Sequence, residues 1–126
     1  MKESDRKKYD LEERTALFGE STILFAQKIP KNQITSPLIV QLVKASASIG
    51  ANYCEADCAE SRKDFEHKIG ICKKEAKETK YWLRMVGMAA PGLKDAGAPL
   101  LKEAHELHLI FITIVKNSKS NSASKN

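Results

Sequence analysis

The chain has 126 residues and a mass of 14.0 kDa, and its 21 Lys and Arg exceed its 16 Asp and Glu by a formal net charge of +5. This length fits one domain that buries an ordinary hydrophobic core without a metal or a disulfide. Only 6% of the residues are aromatic and six are Gly, so the composition favours a helical chain and argues against an all-β fold.

The first predicted helix runs from about Asp10 to Ile29, where Pro30 stops it. Its apolar face recurs in steps of four and three, at Leu11, Thr15, Phe18, Thr22, Phe25 and Ile29. The second helix is predicted from Ser36 to about Ala59, because Ser followed by Pro37 is typical of an N-cap and the first helical position. Its expected buried face consists of Leu38, Leu42, Ala45, Ile49, Tyr53 and Ala56.

The third predicted helix opens at Ser61, which forms a capping-box pattern with Asp64, and ends at Ala90. Its apolar face is the most regular in the chain, at Phe65, Ile69, Cys72, Ala76, Thr79, Leu83 and Val86. The fourth runs from about Ala96 to Asn117 and is expected to bury Leu100, Ala104, Leu107, Phe111 and Ile114. The β-branched residues 110–115 also suit a strand, but a lone strand would have no partner among three helices, so we favour a helix.

Four helices joined by short links predict an all-α, antiparallel up-down-up-down four-helix bundle over residues 1–117. Residues 118–126 are polar and carry Lys without acid, so we expect a disordered basic tail. The N-terminus has no apolar segment of a secretory signal, and no apolar run approaches the ~20 residues of a membrane span. Three cysteines, an odd number, suit a reducing compartment. The sequence therefore predicts a cytoplasmic protein without membrane contact.

Apolar residues also occur outside the predicted core faces. The third helix has a second line, displaced by one position from its core face, that consists of Ile71, Glu75, Glu78, Trp82 and Met85. A bundle helix buries one face in its own core, so a second apolar face predicts a homo-oligomer with this line at the interface. The alternative is that Trp82 lies at the edge of its own core.

A line of polar residues marks the second helix at Ser48, Asn52 and Glu55. These side chains share one face and could form a polar network with Glu75 or Glu78 of the third helix. The alternative is a solvated helix face.

Several strings in these helices resemble one bacterial family. They are Ser48-Ile49-Gly50-Ala51-Asn52-Tyr53, Glu55-Ala56, Asp64-Phe65, Lys74-Glu75-Ala76 and Tyr81-Trp82-Leu83. The pattern resembles the bacterial four-helix bundle family that includes the 23S rRNA intervening-sequence proteins, from the first helix through the third. The resemblance implies a left-handed bundle and a homopentamer. The accessory protein of diversity-generating retroelements is similar in fold and binds nucleic acid and reverse transcriptase, which is an analogy at the level of fold.

The charge of the third helix points to a nucleic-acid partner. Residues 62–84 include eight Lys or Arg and four Asp or Glu. Lys73, Lys77, Lys80 and Arg84 recur in steps of four, three and four, so they form one basic line that could follow the phosphates of RNA or DNA. The alternative is an ordinary solvated face, because acids are intermixed and no exposed aromatic residue is expected for base stacking.

Patterns of enzymes and metal sites are weak in this chain. The Glu-x-x-His pattern of a di-iron bundle has one distant match, Asp64-x-x-His67. Cys54 and Cys58 lie one helical turn apart, but no further ligands have the spacing of a zinc site. We predict no catalytic residue, metal or cofactor. The sequence indicates a non-enzymatic, oligomeric scaffold or nucleic-acid-binding accessory, and the alternative is a protein-interaction module with no nucleic-acid role.

Overall fold

The structure, a computed structural model, describes the backbone of residues 3–124 and the side chains of residues 11–121. This part of the chain forms four α-helices: α1 (Glu3–Ala26), α2 (Thr35–Asp57), α3 (Arg62–Ala89) and α4 (Lys94–Ser124). One turn of 3-10 helix, Pro91–Leu93, joins α3 to α4. The described residues include no strand, and the β-branched residues 110–115 lie inside α4. The predicted all-α four-helix fold is confirmed.

Contacts between α2 and α3 show that these helices are antiparallel. The Cys72 thiol lies 3.5 Å from the Ile49 carbonyl oxygen and donates to it. Further along α2, Glu55 pairs with the earlier Lys68 of α3, with 3.0 Å between Oε2 and Nζ. A later residue of α2 therefore meets an earlier residue of α3, as the predicted topology requires.

Helix α4 runs antiparallel to both α3 and α1. It meets α3 where Ser118 Oγ donates to Glu66 Oε1 over 2.8 Å and where Lys80 approaches His108. On its other side Arg14 of α1 donates to Glu103 through Nε and Nη2, both over 2.7 Å. The hydrogen bond from Arg14 to Glu103 holds the pKa of the guanidinium above its ordinary value. These contacts fix which surfaces of α3 and α4 lie side by side.

The core consists of the predicted faces of the four helices. Every residue of those faces is buried except Leu38, Phe65 and Ile114, which are half-buried against the core. Three buried threonines of these faces, Thr15, Thr22 and Thr79, donate to the carbonyl oxygen four residues earlier in the same helix, as Thr22 does to Phe18 over 2.9 Å. A hydroxyl satisfied within its own helix can lie in an apolar core at little cost.

The two predicted helix starts have different outcomes. Ser61 has extended backbone angles and its Oγ accepts from the Asp64 amide over 3.0 Å, so the cap of α3 is confirmed. Ser36, predicted as the N-cap of α2, lies instead inside the first turn. Asn32 supplies the side-chain acceptor, because its Oδ1 receives the amides of Ile34 and Thr35 over 2.8 and 2.9 Å.

The C-terminal end of α4 differs from the sequence expectation. The helix was expected to end at Asn117, and it continues to Ser124. The bond from Ser118 to Glu66 fastens the first turn of this extension to α3. Most of the segment predicted as a disordered tail is thus helical, while residues 125 and 126 lie outside the described part. None of the described helices has the length and hydropathy to cross a bilayer.

Candidate functional site

Helix α3 separates its charged residues onto two flanks. Lys73, Lys77, Lys80 and Arg84, which we call the basic strip, follow one line of the helix. Lys80 places this line beside α4, since its Nζ lies 3.2 Å from His105 Nδ1 and 2.9 Å from His108 Nδ1. Helical spacing puts the strip on the α4 side of α3 over eleven residues, or about 16 Å.

Two acids of the same helix, Glu75 and Glu78, lie on its other flank, toward α2, whereas Glu66 lies on the α4 side, where it accepts from Ser118. Glu75 interacts electrostatically with Lys44 of α2 and with the neighbouring Glu78. Burial raises the pKa of the Glu75 carboxyl, and Glu78 raises it further. Glu75 and Glu78 alternate in sequence with the cations of the basic strip, but they lie on the other flank of α3. Neither carboxylate therefore lies beside the strip.

The strip is not neutralised from the opposing helix either. The α4 acids Glu103 and Glu106 both pair with Arg14, on the side of α4 that faces α1. Among the described side chains, none of the four cations of the basic strip forms an ion pair with a carboxylate. The cations of the strip are thus uncompensated by ion pairs among the described side chains, although Asp95 of α4 lines the same cleft as Lys80 and Arg84.

The charged groups around His108 are also basic. Burial lowers the pKa of its imidazole, and Lys80, His105, Lys77 and Lys73 lower it further, in that order. Each of these neighbouring charges is basic, so each disfavours protonation of the imidazole. His105 and His108 were not predicted as site residues. Their spacing on α4 was visible in the sequence, but their position opposite Lys80 depends on the register of α3 against α4.

An exposed aromatic side chain lies next to the basic strip. Tyr81 is 53% exposed, and its ring packs edge-on against Trp82 with 5.0 Å between the ring centroids. It lines an open cleft of about 910 Å³ whose wall also includes Lys80, Arg84, Met88, Lys94 and Leu101. The expectation that no exposed aromatic accompanies the basic line was wrong, because Tyr81 points away from the core face.

A second cleft lies at the opposite end of the bundle. It has a volume of about 830 Å³ and is lined mainly by apolar residues, including Tyr53, Phe65 and Ile114. Asp57 is its one charged residue among the described lining side chains. This chemistry does not suit an anionic ligand, so the α3–α4 seam is the better candidate for a phosphate.

The residues of the predicted polar network form local contacts. Asn52 Nδ2 donates to the Ser48 carbonyl oxygen over 2.8 Å, and Glu55 pairs with Lys68. Within residues 11–121, no hydrogen bond links these α2 residues to Glu75 or Glu78. The structure therefore does not bring the five residues together as one hydrogen-bonded network.

The predicted interface line lies on the α2 side of α3. Ile71, Trp82 and Met85 are all half-buried, and Trp82 packs against the edge of the core. The most exposed large apolar side chains lie elsewhere, at the end of the bundle where α1 and α3 finish and α2 begins. They are Leu24, Ile34, Val40 and Met88, the last of them 80% exposed. Sequence spacing indicated only Leu24, which widens the apolar face of α1, while Ile34 and Met88 lie at helix ends, where spacing gives little signal.

The described cysteines and histidines lie too far apart to form a metal site. Cys54 and Cys58 are exposed, whereas Cys72 is buried, and burial raises the pKa of its thiol to about 12. Across the described part of the chain, no three His, Cys, Asp or Glu side chains are grouped closely enough to bind a metal ion. Cys72 acts as a small core residue that donates to the Ile49 carbonyl.

This chain is similar to known proteins in both sequence and structure. Residues 7–113 match the family model described as 23S rRNA-intervening sequence protein. The structure is similar to the crystal structure of a protein with unknown function from the S23 ribosomal protein family of Bacteroides thetaiotaomicron VPI-5482. That comparison has a TM-score of 0.79 and 27% identity, and covers 87% of this chain and 98% of the other. No curated protein matches the chain.

Proposed function

Because the chain belongs to the 23S rRNA-intervening sequence protein family, we propose that it is a non-enzymatic accessory protein that binds RNA through the basic strip. The observation that carries this proposal is the uncompensated charge at the α3–α4 seam. Glu75 and Glu78 lie on the α2 flank of α3, and Glu103 and Glu106 both form ion pairs with Arg14. An RNA-binding role places the protein in the cytoplasm.

The chemistry of the seam suits a phosphate backbone with unpaired bases. Each cation of the strip that neutralises a phosphate releases a counterion, which favours binding and makes it depend on salt. Tyr81 offers an exposed aromatic surface one residue from Lys80, and bases of single-stranded RNA stack on such rings. The seam therefore favours single-stranded RNA over a duplex, whose bases are already stacked.

We also propose that the protein works as a homo-oligomer. The apolar residues exposed at one end of the bundle and the half-buried line on α3 support this proposal. The basic strip faces α4 while the apolar line faces α2, so one flank of α3 can contact another subunit and leave the other flank open to RNA. The homopentamer implied by the family resemblance remains our prediction of the subunit number.

The RNA-binding proposal is tested by charge reversal with a matched control. The test variant is Lys73→Glu, Lys77→Glu and Lys80→Glu. The control is Lys28→Glu, Lys31→Glu and Lys102→Glu, three exposed positions outside the strip. Each Lys→Glu substitution lowers the formal charge by two, so both variants carry a formal net charge of −1 instead of +5. Binding of a fluorescein-labelled single-stranded RNA is measured by anisotropy from about 50 mM to 200 mM salt.

We expect wild type to lose affinity as salt rises, with a log–log slope of about −3 if all four strip cations contact phosphates. The strip variant should lose at least about tenfold in affinity at low salt, and the control should lose much less. Equal losses in the two variants would show that net charge alone drives binding. Absence of RNA binding at low salt, with salt-insensitive retention of a specific protein partner, would support the protein-interaction alternative.

A further inference from the structure

Lys80 bridges two histidines of the neighbouring helix. Its Nζ lies 3.2 Å from His105 Nδ1 and 2.9 Å from His108 Nδ1. An ammonium group can only donate hydrogen bonds, so both imidazoles accept through Nδ1 and carry their ring proton on Nε2. The arrangement exists only while both imidazoles are neutral. A proton added at either Nδ1 removes the acceptor and places a second positive charge beside the ammonium.

The charged groups around this cluster belong to two helices. From α3, Lys73, Lys77 and Lys80 act on His108, and from α4 its neighbour His105 acts on it. Among the described side chains, no carboxylate pairs with Lys80, and the charges that act most strongly on His108 are all basic. In the free protein the cluster therefore has several positive groups and lacks an anion. His105 is exposed and His108 is half-buried, so a ligand from solvent can reach them.

We propose that Lys80, His105 and His108 form a proton-coupled phosphate site, at which an RNA phosphodiester binds as the two imidazoles take up protons. The inference rests on the proposed role of the basic strip as an RNA surface and adds a regulation of that surface by pH. A phosphate oxygen accepts from the Lys80 ammonium and from an imidazolium, so the anion replaces the direct contacts between Lys80 and the two Nδ1 atoms.

The sign of the pH dependence follows from the charges. The lysines and burial lower the pKa of His108 in the free protein, and a bound phosphate adds a negative charge that raises it. Binding therefore takes up protons, and RNA affinity rises as the pH falls through the range in which the imidazoles titrate. Each imidazolium also adds one phosphate-neutralising cation, so the salt slope steepens by about 0.7 per histidine.

The test compares RNA affinity at about pH 8.0 and pH 5.5 at constant ionic strength. The test variant is His105→Gln with His108→Gln, because glutamine can still accept a hydrogen bond from Lys80 but does not titrate. The control is His67→Gln, which replaces the remaining histidine of the chain, an exposed residue of α3 outside the strip. A fluorescein-labelled single-stranded RNA is the probe, and histidine Hε1 resonances are followed by NMR with and without it.

We expect wild type and the His67→Gln control to bind about tenfold more tightly at the lower pH. The double variant should lose most of this ratio, and added RNA should raise the titration midpoint of His108 in wild type. Full pH dependence in the double variant, or an unchanged midpoint, would overturn the inference. RNA binding that is equal at both pH values would overturn it and leave the proposed function standing, whereas no binding at either pH would overturn both.

Discussion

Gly50 and Gly70 are interior helical glycines whose surroundings differ. A Cβ at Gly70 would meet no atom within 4 Å. A Cβ at Gly50 would lie 3.3 Å from Thr15 Oγ1 and 3.5 Å from the Thr15 backbone carbon. The Thr15 hydroxyl is itself held by the Leu11 carbonyl oxygen over 2.7 Å, so it cannot move freely. Gly50 therefore allows close contact between α1 and α2, whereas Gly70 serves no packing purpose within its own bundle.

This difference predicts opposite outcomes for one substitution at two sites. Gly70→Ala should raise the free energy of unfolding by about 0.5–1 kcal/mol, because alanine has the higher helix propensity. Gly50→Ala should gain less than this or lose stability, because the new methyl group displaces Thr15. Urea unfolding of both variants at one protein concentration measures the difference. Equal stabilisation at the two sites would contradict the close packing of α1 against α2.

At the scale of elements, the start of α2 depends on residues that precede the helix. Asn32 Oδ1 accepts hydrogen bonds from the backbone amides of Ile34 and Thr35, and the backbone amide of Asn32 donates to Thr35 Oγ1 over 3.0 Å. This reciprocal pair has the form of a capping box with Thr in the place of Glu. Pro37 is the third residue of α2, near its start, where the fixed φ of proline is compatible with the helix.

A pair of alanine substitutions tests which residue caps α2. Asn32→Ala should lower the free energy of unfolding by about 1 kcal/mol, since it leaves two amides without their acceptor. Ser36→Ala serves as the control and should change stability by less than about 0.5 kcal/mol, because Ser36 is exposed and does not act as the cap. Thermal unfolding of both variants gives the measurement. A larger effect at Ser36 would restore the original sequence prediction.

The helices themselves were largely predictable, because apolar spacing depends on local geometry. The faces of α1 and α3 were found nearly residue by residue, and so was the cap at Ser61. The end of α4 was missed because residues 118–124 have no apolar spacing, and a contact across the bundle, from Ser118 to Glu66, holds the extension. The spacing of Asn32 and Thr35 also indicated a cap in the sequence. The prediction used the Ser36-Pro37 pair instead, because it is the more familiar pattern.

At the scale of the whole molecule, the candidate site depends on how the helices are arranged. The line from Lys73 to Arg84 was visible as spacing. The sequence pattern also placed Glu75 or Glu78 near the second helix, but it did not show that His105 and His108 lie opposite Lys80. That position depends on which helix lies on each side of α3 and on the register between them. Local patterns thus predicted the residues of the strip, and only tertiary structure showed that its charge is uncompensated.

The arrangement of subunits gives the last prediction. The antiparallel register of α2 and α3 puts Trp82 level with about residues 39–41, and Trp82, Ile39 and Val43 are all partly buried against the core. We expect the protein to elute as an oligomer, with a mass of about 70 kDa if five 14.0 kDa chains assemble. Replacing Ile71 and Met85 with Glu should dissociate it, because burying these carboxylates between subunits without partners is costly. Light scattering coupled to size-exclusion chromatography measures the mass.

Met88→Glu provides the control for this experiment, since Met88 is the most exposed large apolar side chain of α3 and lies off the Ile71–Met85 line. If the interface follows the line, this variant keeps the oligomeric mass while the Ile71→Glu, Met85→Glu variant loses it. Circular dichroism of each variant separates dissociation from unfolding. Dissociation by Met88→Glu alone would indicate that the interface lies at the end of the bundle, at the cleft lined by Met88 and Tyr81.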